Sequence, residues 1–169
     1  FLIAAVDVQG GKNARFIVQV HAVGEHKEQA LIDRYAIVES ARDGYGGKAP
    51  LDPAAHGEDW DVLTDQVIKG TYRVQGSDRE LRVHRTIVDT GGEDGVTERA
   101  YAWFRRLRRD GLAQHAFVSK GEKKGKFNWL VRETMVGGPK GTKGDVPLKL
   151  LNASAFKDEV FNNFRRETP

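Results

Sequence analysis

The chain has 169 residues, of which 39% are hydrophobic and 30% charged, and its formal net charge is +3. This length suits one domain with its own core. The lack of cysteine excludes disulfides, thiolate metal sites and cysteine nucleophiles, and no apolar run approaches the length of a membrane span. The chain opens on an apolar strand at Phe1, so we interpret residues 1–169 as a single domain excised from a longer protein.

The first part of the chain predicts three strands joined by short turns. Residues 1–9 are apolar, residues 14–23 alternate between apolar and polar, and residues 28–39 carry a third apolar pattern. The glycines in residues 10–13 indicate a hairpin turn. Three consecutive strands joined in this way form an antiparallel meander.

A predicted loop and a helix follow the meander. Residues 40–56 are rich in glycine and proline and are expected to be a loop, whereas residues 60–68 show helical spacing. Glu58, Asp59 and Asp61 lie in the first turn of that helix, where the helix dipole favours negative charge. This local acidic cluster therefore has a structural explanation and is not taken as a metal site.

The second half of the chain alternates between strand and helix patterns. We predict a strand over 81–89, a helix over 96–107, a strand over 115–119, a long basic loop over 120–145, a strand over 146–152 and a final helix. Ser154 is expected to cap the final helix, with Phe156, Val160, Phe161 and Phe164 as its buried stripe. The order predicts an α/β fold in which a mixed sheet, a meander plus parallel strands, is flanked by helices.

Three aspartates are candidates for chemistry. Asp7 interrupts an apolar strand, where a carboxylate is costly to bury unless it is paired or binds metal; the alternative is a hydrogen bond to the following turn. Asp89 ends a strand just before two glycines, where α/β sheets gather ligands; the alternative is a turn or cap residue. Asp158 lies at the margin of the last apolar stripe, and the alternative is a solvated carboxylate in the first turns of a helix. Glu159 and Asp145 are the fallback candidates for this third position.

Carboxylates on neighbouring elements suit hard cations. Mg²⁺ and Mn²⁺ prefer oxygen ligands, and a pair of such ions can activate water and stabilise the leaving oxygen in phosphodiester hydrolysis. We therefore expect Asp7, Asp89 and Asp158 to be both the metal-binding and the catalytic residues, and to form a site that holds two ions. The histidines show no paired zinc spacing, and Gly10-Gly11-Lys12-Asn13 lacks the length and the Ser or Thr of a phosphate-binding loop.

Basic residues concentrate in the second half of the chain. Clusters of this kind are expected on a protein surface that binds the phosphate backbone of a nucleic acid. The arginines of residues 105–109 fit a solvated surface equally well, whereas the lysine-rich loop favours an anionic partner. The lysines predicted to bind DNA are Lys120, Lys123, Lys124, Lys126, Lys140 and Lys143.

An ordered set of segments resembles the nuclease domain of phage terminase large subunits of the lambda GpA type. Residues 4–9 look like its "GVDVQ" strand, residues 88–92 like its "DSGG" segment, residues 119–121 like the "KG" after the next strand, and residues 157–158 like its terminal "KD". The likeness follows the chain in order over nearly its whole length. Ser154 stands where many members have an acid before the "KD" pair.

The resemblance implies a ribonuclease H-like fold and a two-metal endonuclease that cuts concatemeric double-stranded phage DNA during genome packaging. It carries Asp7, Asp89 and Asp158 over as metal-binding acids. It also implies a preceding ATPase domain, which this chain lacks, a small subunit and a portal as partners, and action in the host cell cytoplasm. The alternatives are another ribonuclease H-like nuclease, of the resolvase or transposase type, and a noncatalytic DNA-binding module.

Overall fold

A mixed β-sheet forms the centre of the computed structural model, which describes residues 1–26, 28–122, 129–138 and 144–166. The strands are β1 (Leu2–Gln9), β2 (Arg15–Val23), β3 (Gln29–Ile37), β4 (Glu39–Gly44), β5 (Gly47–Pro50), β6 (Thr71–Arg73), β7 (Glu80–Asp89), β8 (Ala116–Glu122), β9 (Val131–Val136) and β10 (Val146–Asn152). Within the described residues, the main sheet has the order β3-β2-β1-β7-β8-β10-β9, and β6 pairs with β7 beside this path. Strands β4 and β5 form a separate hairpin.

Within the described residues, three helical segments flank the sheet, in addition to short 3-10 turns at Gly11–Asn13 and Ala113–His115. The first, called α1 here (residues 57–68), combines a 3-10 turn, Gly57–Trp60, an α-helical turn, Asp61–Leu63, and a wider π turn, Thr64–Ile68. The others are α2 (Val96–Arg109) and α3 (Ala153–Arg166). No helix in the described part of the chain has the length and apolar character needed to cross a membrane.

The strand directions confirm the predicted α/β class. Strands β1, β2 and β3 form the antiparallel meander, whereas β1, β7, β8 and β10 run parallel to one another. Strand β9 pairs antiparallel with β10 at the edge of the sheet. The four parallel strands therefore direct their carboxyl ends to the same edge of the sheet.

The core lies between one face of the sheet and the helices α1 and α2. Alternate residues of β1 are buried on this face, as expected from the two-residue period of a strand. Trp60 of α1 packs 5.4 Å from Phe16 of β2 and 5.6 Å from Trp103 of α2, measured between ring centroids. These three aromatic side chains are fully buried and fix both helices on the sheet.

The opposite face of the sheet remains open in the described residues. Ile3, Ala5, Ile87 and Phe117 contribute to a groove of about 330 Å³ on this face. Helix α3 leaves the end of β10 without burying its apolar stripe. The prediction of a buried stripe is therefore wrong for the exposed Phe156, Val160 and Phe161, because amphipathic spacing shows that a helix has an apolar side but not which surface covers it. The side chain of Phe164 lies outside the described residues.

The start of α3 also differs from the prediction. Asn152, not Ser154, caps the helix, since its Oδ1 accepts the backbone N–H of Ala155 at 3.2 Å. Its amide Nδ2 donates to the carbonyl of Trp129 at 3.1 Å. Asn152 thus joins the end of β10, the start of α3 and the segment before β9.

Strands β4, β5 and β9 lie in segments that were predicted to be loops. Strand β4 contains charged and small residues, and β9 exposes most of its side chains, so neither carries the apolar alternation that marks a half-buried strand. Strand β4 is instead held by polar contacts to the buried Asp59. Strand β9 is held by its backbone pairing with β10.

Candidate metal centre

The site begins with two aspartates on adjacent parallel strands. Asp7 of β1 is the register partner of Asp89, the last residue of β7. Neighbouring strands are roughly 4.8 Å apart, so the two carboxylates stand side by side near the carboxyl ends of their strands. The sequence placed Asp7 within an apolar strand and Asp89 at the end of its strand, as observed, but it gave no register.

Asp7 lies on the open face of the sheet. Its neighbours Val6 and Val8 are buried on the core face, whereas Asp7 itself is exposed. Because successive residues of β1 face opposite sides of the sheet, Asp7 stays exposed. It therefore does not incur the desolvation cost that was predicted from its apolar neighbours. Asp89 is exposed as well, and both line a groove of about 290 Å³ on this face.

Hydrogen bonds orient the two carboxylates. Gln9 Nε2 donates to Asp7 Oδ2 at 3.0 Å, and Arg15 Nε donates to Gln9 Oε1 at 2.8 Å. The backbone N–H of Gly91 donates to Asp89 Oδ1 at 2.9 Å. Within the described residues, neither aspartate forms an ion pair, so no cationic side chain neutralises the pair.

The turn after Asp89 is fixed by strand β8. The N–H and Oγ1 of Thr90 donate to the carbonyl of Ser119 at 2.8 and 3.0 Å, and Ser119 Oγ donates to the carbonyl of Val88 at 3.1 Å. A Cβ atom on Gly91 would lie 3.2 Å from Asp89 Oδ1, so glycine leaves close access to the carboxylate. These contacts hold Asp89 in place.

Ser119 belongs to the site although its sequence context gave no reason to include it. It is the register partner of Asp89 on β8, is buried, and lines the same groove as both aspartates. Its neighbours do not form the context of a nucleophilic serine, so the local sequence does not mark it. Its position at the carboxyl end of a parallel strand is the signal that could have identified it.

Asp158 does not join the two aspartates in this arrangement. It is exposed in α3, and the described residues contain no group of three or more His, Cys, Asp or Glu side chains placed to hold a metal ion. Another acid, Glu93, reaches the loop after β1, where its Oε2 occupies the space that a Cβ on Gly10 would take. The identity of the third acid therefore stays a prediction.

Lys120 is the one residue among the predicted DNA-binding lysines that falls within the described part of the chain. It is exposed and lines a cleft of about 630 Å³ with residues 92–95 and the first turn of α2. Its Cγ lies 3.8 Å from the position that a Cβ on Gly91 would occupy, so it stands close to the turn after Asp89. The predicted residues Lys123, Lys124, Lys126, Lys140 and Lys143 lie outside the described residues.

The arginines of α2 form structural ion pairs. Arg105 binds both carboxylate oxygens of Asp145 at 2.8 Å and donates to the carbonyl of Gly137 at 2.6 Å. Its hydrogen bonds lower the pKa of Asp145 below the ordinary value of 3.8. Arg106 binds Asp61 at 2.8 Å. These contacts give Arg105 and Arg106 acidic partners within the chain.

Comparison with known proteins identifies a family for this chain. Residues 1–169, the whole chain, match the family model described as the terminase large subunit gpA endonuclease domain. Comparisons with curated proteins and with solved structures found no match. The family match confirms the resemblance drawn from the ordered motifs, and the mixed sheet with its helices is consistent with a ribonuclease H-like nuclease domain.

Proposed function

Because this chain belongs to the family of terminase large-subunit endonuclease domains, we propose that it cuts concatemeric double-stranded DNA with divalent cations held by Asp7 and Asp89. The family supports a nuclease role in DNA packaging. The observation that carries the metal mechanism is the register that sets the two exposed carboxylates side by side on parallel strands.

The donor set fits a hard cation. Two carboxylates about one strand spacing apart repel each other, and a cation bound by both would remove that repulsion. Asp7 accepts its hydrogen bond through Oδ2 and Asp89 through Oδ1, which leaves the other oxygen of each for coordination. When bound, Mg²⁺ or Mn²⁺ would supply an activated water and stabilise the leaving oxygen, two ions sharing these tasks.

The residues around the pair would keep it in position for the substrate. Gln9, itself held by Arg15, restrains Asp7, and Ser119 restrains the turn that follows Asp89. Gly91 adds no side chain beside Asp89, so a DNA phosphate can approach the carboxylate closely. Such restraint matters because catalysis depends on holding the reacting groups in one geometry.

Asp158 is the proposed third metal ligand. Helix α3 starts directly after β10, whose carboxyl end lies at the same edge of the sheet as those of β1 and β7. Asp158 lies in the second turn of α3, which begins at this edge. Loss of cleavage in Asp158→Asn, with full activity in Glu159→Gln on the same helix, is the expected result.

The loop lysines are proposed to bind the DNA backbone. Each phosphate contact with duplex DNA contributes a slope of about −0.9 to log K against log salt concentration. The double variant Lys123→Ala/Lys124→Ala is therefore expected to weaken duplex binding and to make the slope less negative by about 1.8, measured by fluorescence anisotropy at several salt concentrations.

The matched control for this prediction removes two lysines outside the basic loop, one in β5 and one directly after α1, neither of which lines the groove beside Asp7 and Asp89. Lys48 pairs with Asp43 and Lys69 with Asp65, each at 2.7 Å. The double variant Lys48→Ala/Lys69→Ala should retain the binding and slope of the unaltered chain. Equal effects of the two double variants would show that only net charge matters and would remove the loop from the proposal.

The test of the proposed function is cleavage of plasmid DNA with Mn²⁺, with Mg²⁺ and with EDTA, alongside a four-way branched DNA. Nicking and linearisation of plain duplex only in the presence of metal is the expected result. Cleavage confined to branched DNA would favour a resolvase, and metal-independent binding with no cleavage of either substrate would favour a noncatalytic module. Full cleavage in EDTA would contradict the metal mechanism.

We also propose, from the family, which domain and partners accompany this reaction and where in the cell it takes place. In the full-length protein, we expect an ATPase domain before residues 1–169, contacts with the terminase small subunit and the portal, and action in the host cell cytoplasm. Co-purification of the full-length protein with each partner would test these contacts.

A further inference from the structure

A row of polar residues runs from the carboxylate pair across the open face of the sheet. Asp7 pairs in register with Asp89, Asp89 with Ser119, Ser119 with Lys149, and Lys149 with Glu133. Residues directly paired across neighbouring strands point to the same face of a sheet. The row therefore joins the proposed metal centre to a lysine two strands away, on β10.

Lys149 is held above the open face by two contacts. Its Nζ lies 5.3 Å from the centroid of the Phe117 ring and 2.5 Å from Oε2 of Glu133. Its side chain is 28% exposed and that of Glu133 is 51% exposed. An ion pair this accessible adds little to folding stability, and the Lys149 ammonium can exchange Glu133 for another anion that reaches this face.

The spacing of the row suits a nucleic acid strand. Lys149 lies two strand spacings from Asp89, about 10 Å between the backbones. Phosphates of one strand recur about every 3.4 Å along the DNA axis, so this separation covers about three phosphates. A strand with its scissile phosphate at Asp7 and Asp89 can therefore present a nearby phosphate to Lys149.

We propose that Lys149 binds a phosphate of the DNA strand that is cut, and that Glu133 holds the ammonium in place until DNA replaces it. The inference rests on the proposed nuclease function and adds a substrate-binding residue outside the basic loop. It predicts opposite effects for the two partners, because removing Lys149 deletes a phosphate contact whereas removing the charge of Glu133 deletes a competitor.

The experiment measures duplex DNA binding in an Asp89→Asn parent, which is expected not to cleave, at several salt concentrations in Mg²⁺. Adding Lys149→Ala should raise Kd roughly fivefold at low salt, the effect expected of one accessible charge-assisted contact, and make the salt slope less negative by about 0.9. Adding Glu133→Gln should lower Kd roughly twofold and leave the slope unchanged.

Lys69→Ala in the same parent is the control, because Lys69 pairs with Asp65 at 2.7 Å and follows α1 on the covered side of the sheet. It should leave Kd and slope unchanged. A Lys149→Ala slope equal to that of the parent, or equal weakening by Lys149→Ala and Glu133→Gln, overturns the Lys149 proposal. Metal-dependent cleavage by the unaltered chain would still support the nuclease in that case, whereas an unaltered chain that neither cleaves nor binds duplex overturns both.

Discussion

Replacing Asp7 or Asp89 by asparagine is expected to reduce metal-dependent DNA cleavage by about a thousandfold. A bound cation stabilises the transition state by several kcal/mol, and each 1.36 kcal/mol corresponds to about a tenfold change in rate. Both residues are exposed, so neither substitution opens a cavity or leaves a buried polar group. Plasmid cleavage rates, with circular dichroism as the measure of folding, test this prediction.

The control for this prediction is an exposed aspartate away from the site. Asp65 of α1 is 65% exposed and pairs with Lys69, so Asp65→Asn should cleave DNA at the rate of the unaltered chain. If the Asp7→Asn and Asp89→Asn variants also kept that rate, the carboxylate pair would have no part in catalysis. Loss of cleavage together with loss of the folded circular dichroism spectrum would assign both residues a structural role.

The second large effect concerns the stability of the fold. Asp59 is fully buried, and its carboxylate accepts hydrogen bonds from Ser40 Oγ, from Arg42 Nε at 2.7 Å and from the N–H of Asp52 at 2.5 Å. Asp59→Ala should lower the free energy of unfolding by about 3 kcal/mol, since it leaves these donors without their partner. Urea denaturation at neutral pH measures the loss.

The effect of Asp59 should also depend on pH. Burial acts to raise the pKa of Asp59, but the hydrogen bonds from Arg42, Ser40 and Asp52 outweigh it and hold the pKa below the ordinary 3.8. A carboxylate with a lowered folded-state pKa stabilises the fold above about pH 3.8, and this contribution is lost as the pH falls through the folded-state value. The difference between the unaltered chain and Asp59→Ala should therefore shrink in acid.

Asp61→Asn is the comparison for Asp59→Ala, because Asp61 lies two residues away and its ion pair with Arg106 is 48% exposed on the aspartate side. We expect a loss of at most about 1 kcal/mol, as for accessible ion pairs in general. Equal losses for the two variants would mean that the buried network around Asp59 adds nothing beyond an ordinary surface pair.

The sequence predicted the parts of the fold that carry a strong apolar period. Strands β1, β2, β7 and β10 and helix α2 bury one side against the core, so the spacing of their apolar residues was sufficient to find them. Strand β3 was also predicted from its apolar residues, although among them only Ile37 is buried. The hairpin of β4 and β5 was missed because it is stabilised by Asp59, a polar contact between segments far apart in the chain. The exposed apolar side of α3 could not be foreseen, because periodicity does not identify a partner surface.

The sequence also placed Asp7 within a strand and Asp89 at the end of another, but it could not give their register. Asp7 and Asp89 are separated by more than eighty residues, and only the pairing of β1 with β7 brings them side by side. The same limit applies to Ser119 and Lys149, which enter the row through strand pairing and carry no local motif. Asp158 was chosen from a helical pattern, which does not determine where the helix lies relative to the sheet.

The most direct test of the metal centre is a titration of Mn²⁺ into the chain, in which electron paramagnetic resonance measures the unbound ion. The unaltered chain should deplete the unbound Mn²⁺ signal, and the double variant Asp7→Asn/Asp89→Asn should leave that signal at the level found in buffer. Equal depletion by the two proteins would contradict the account, because the ions would then be held by residues other than the paired carboxylates of β1 and β7.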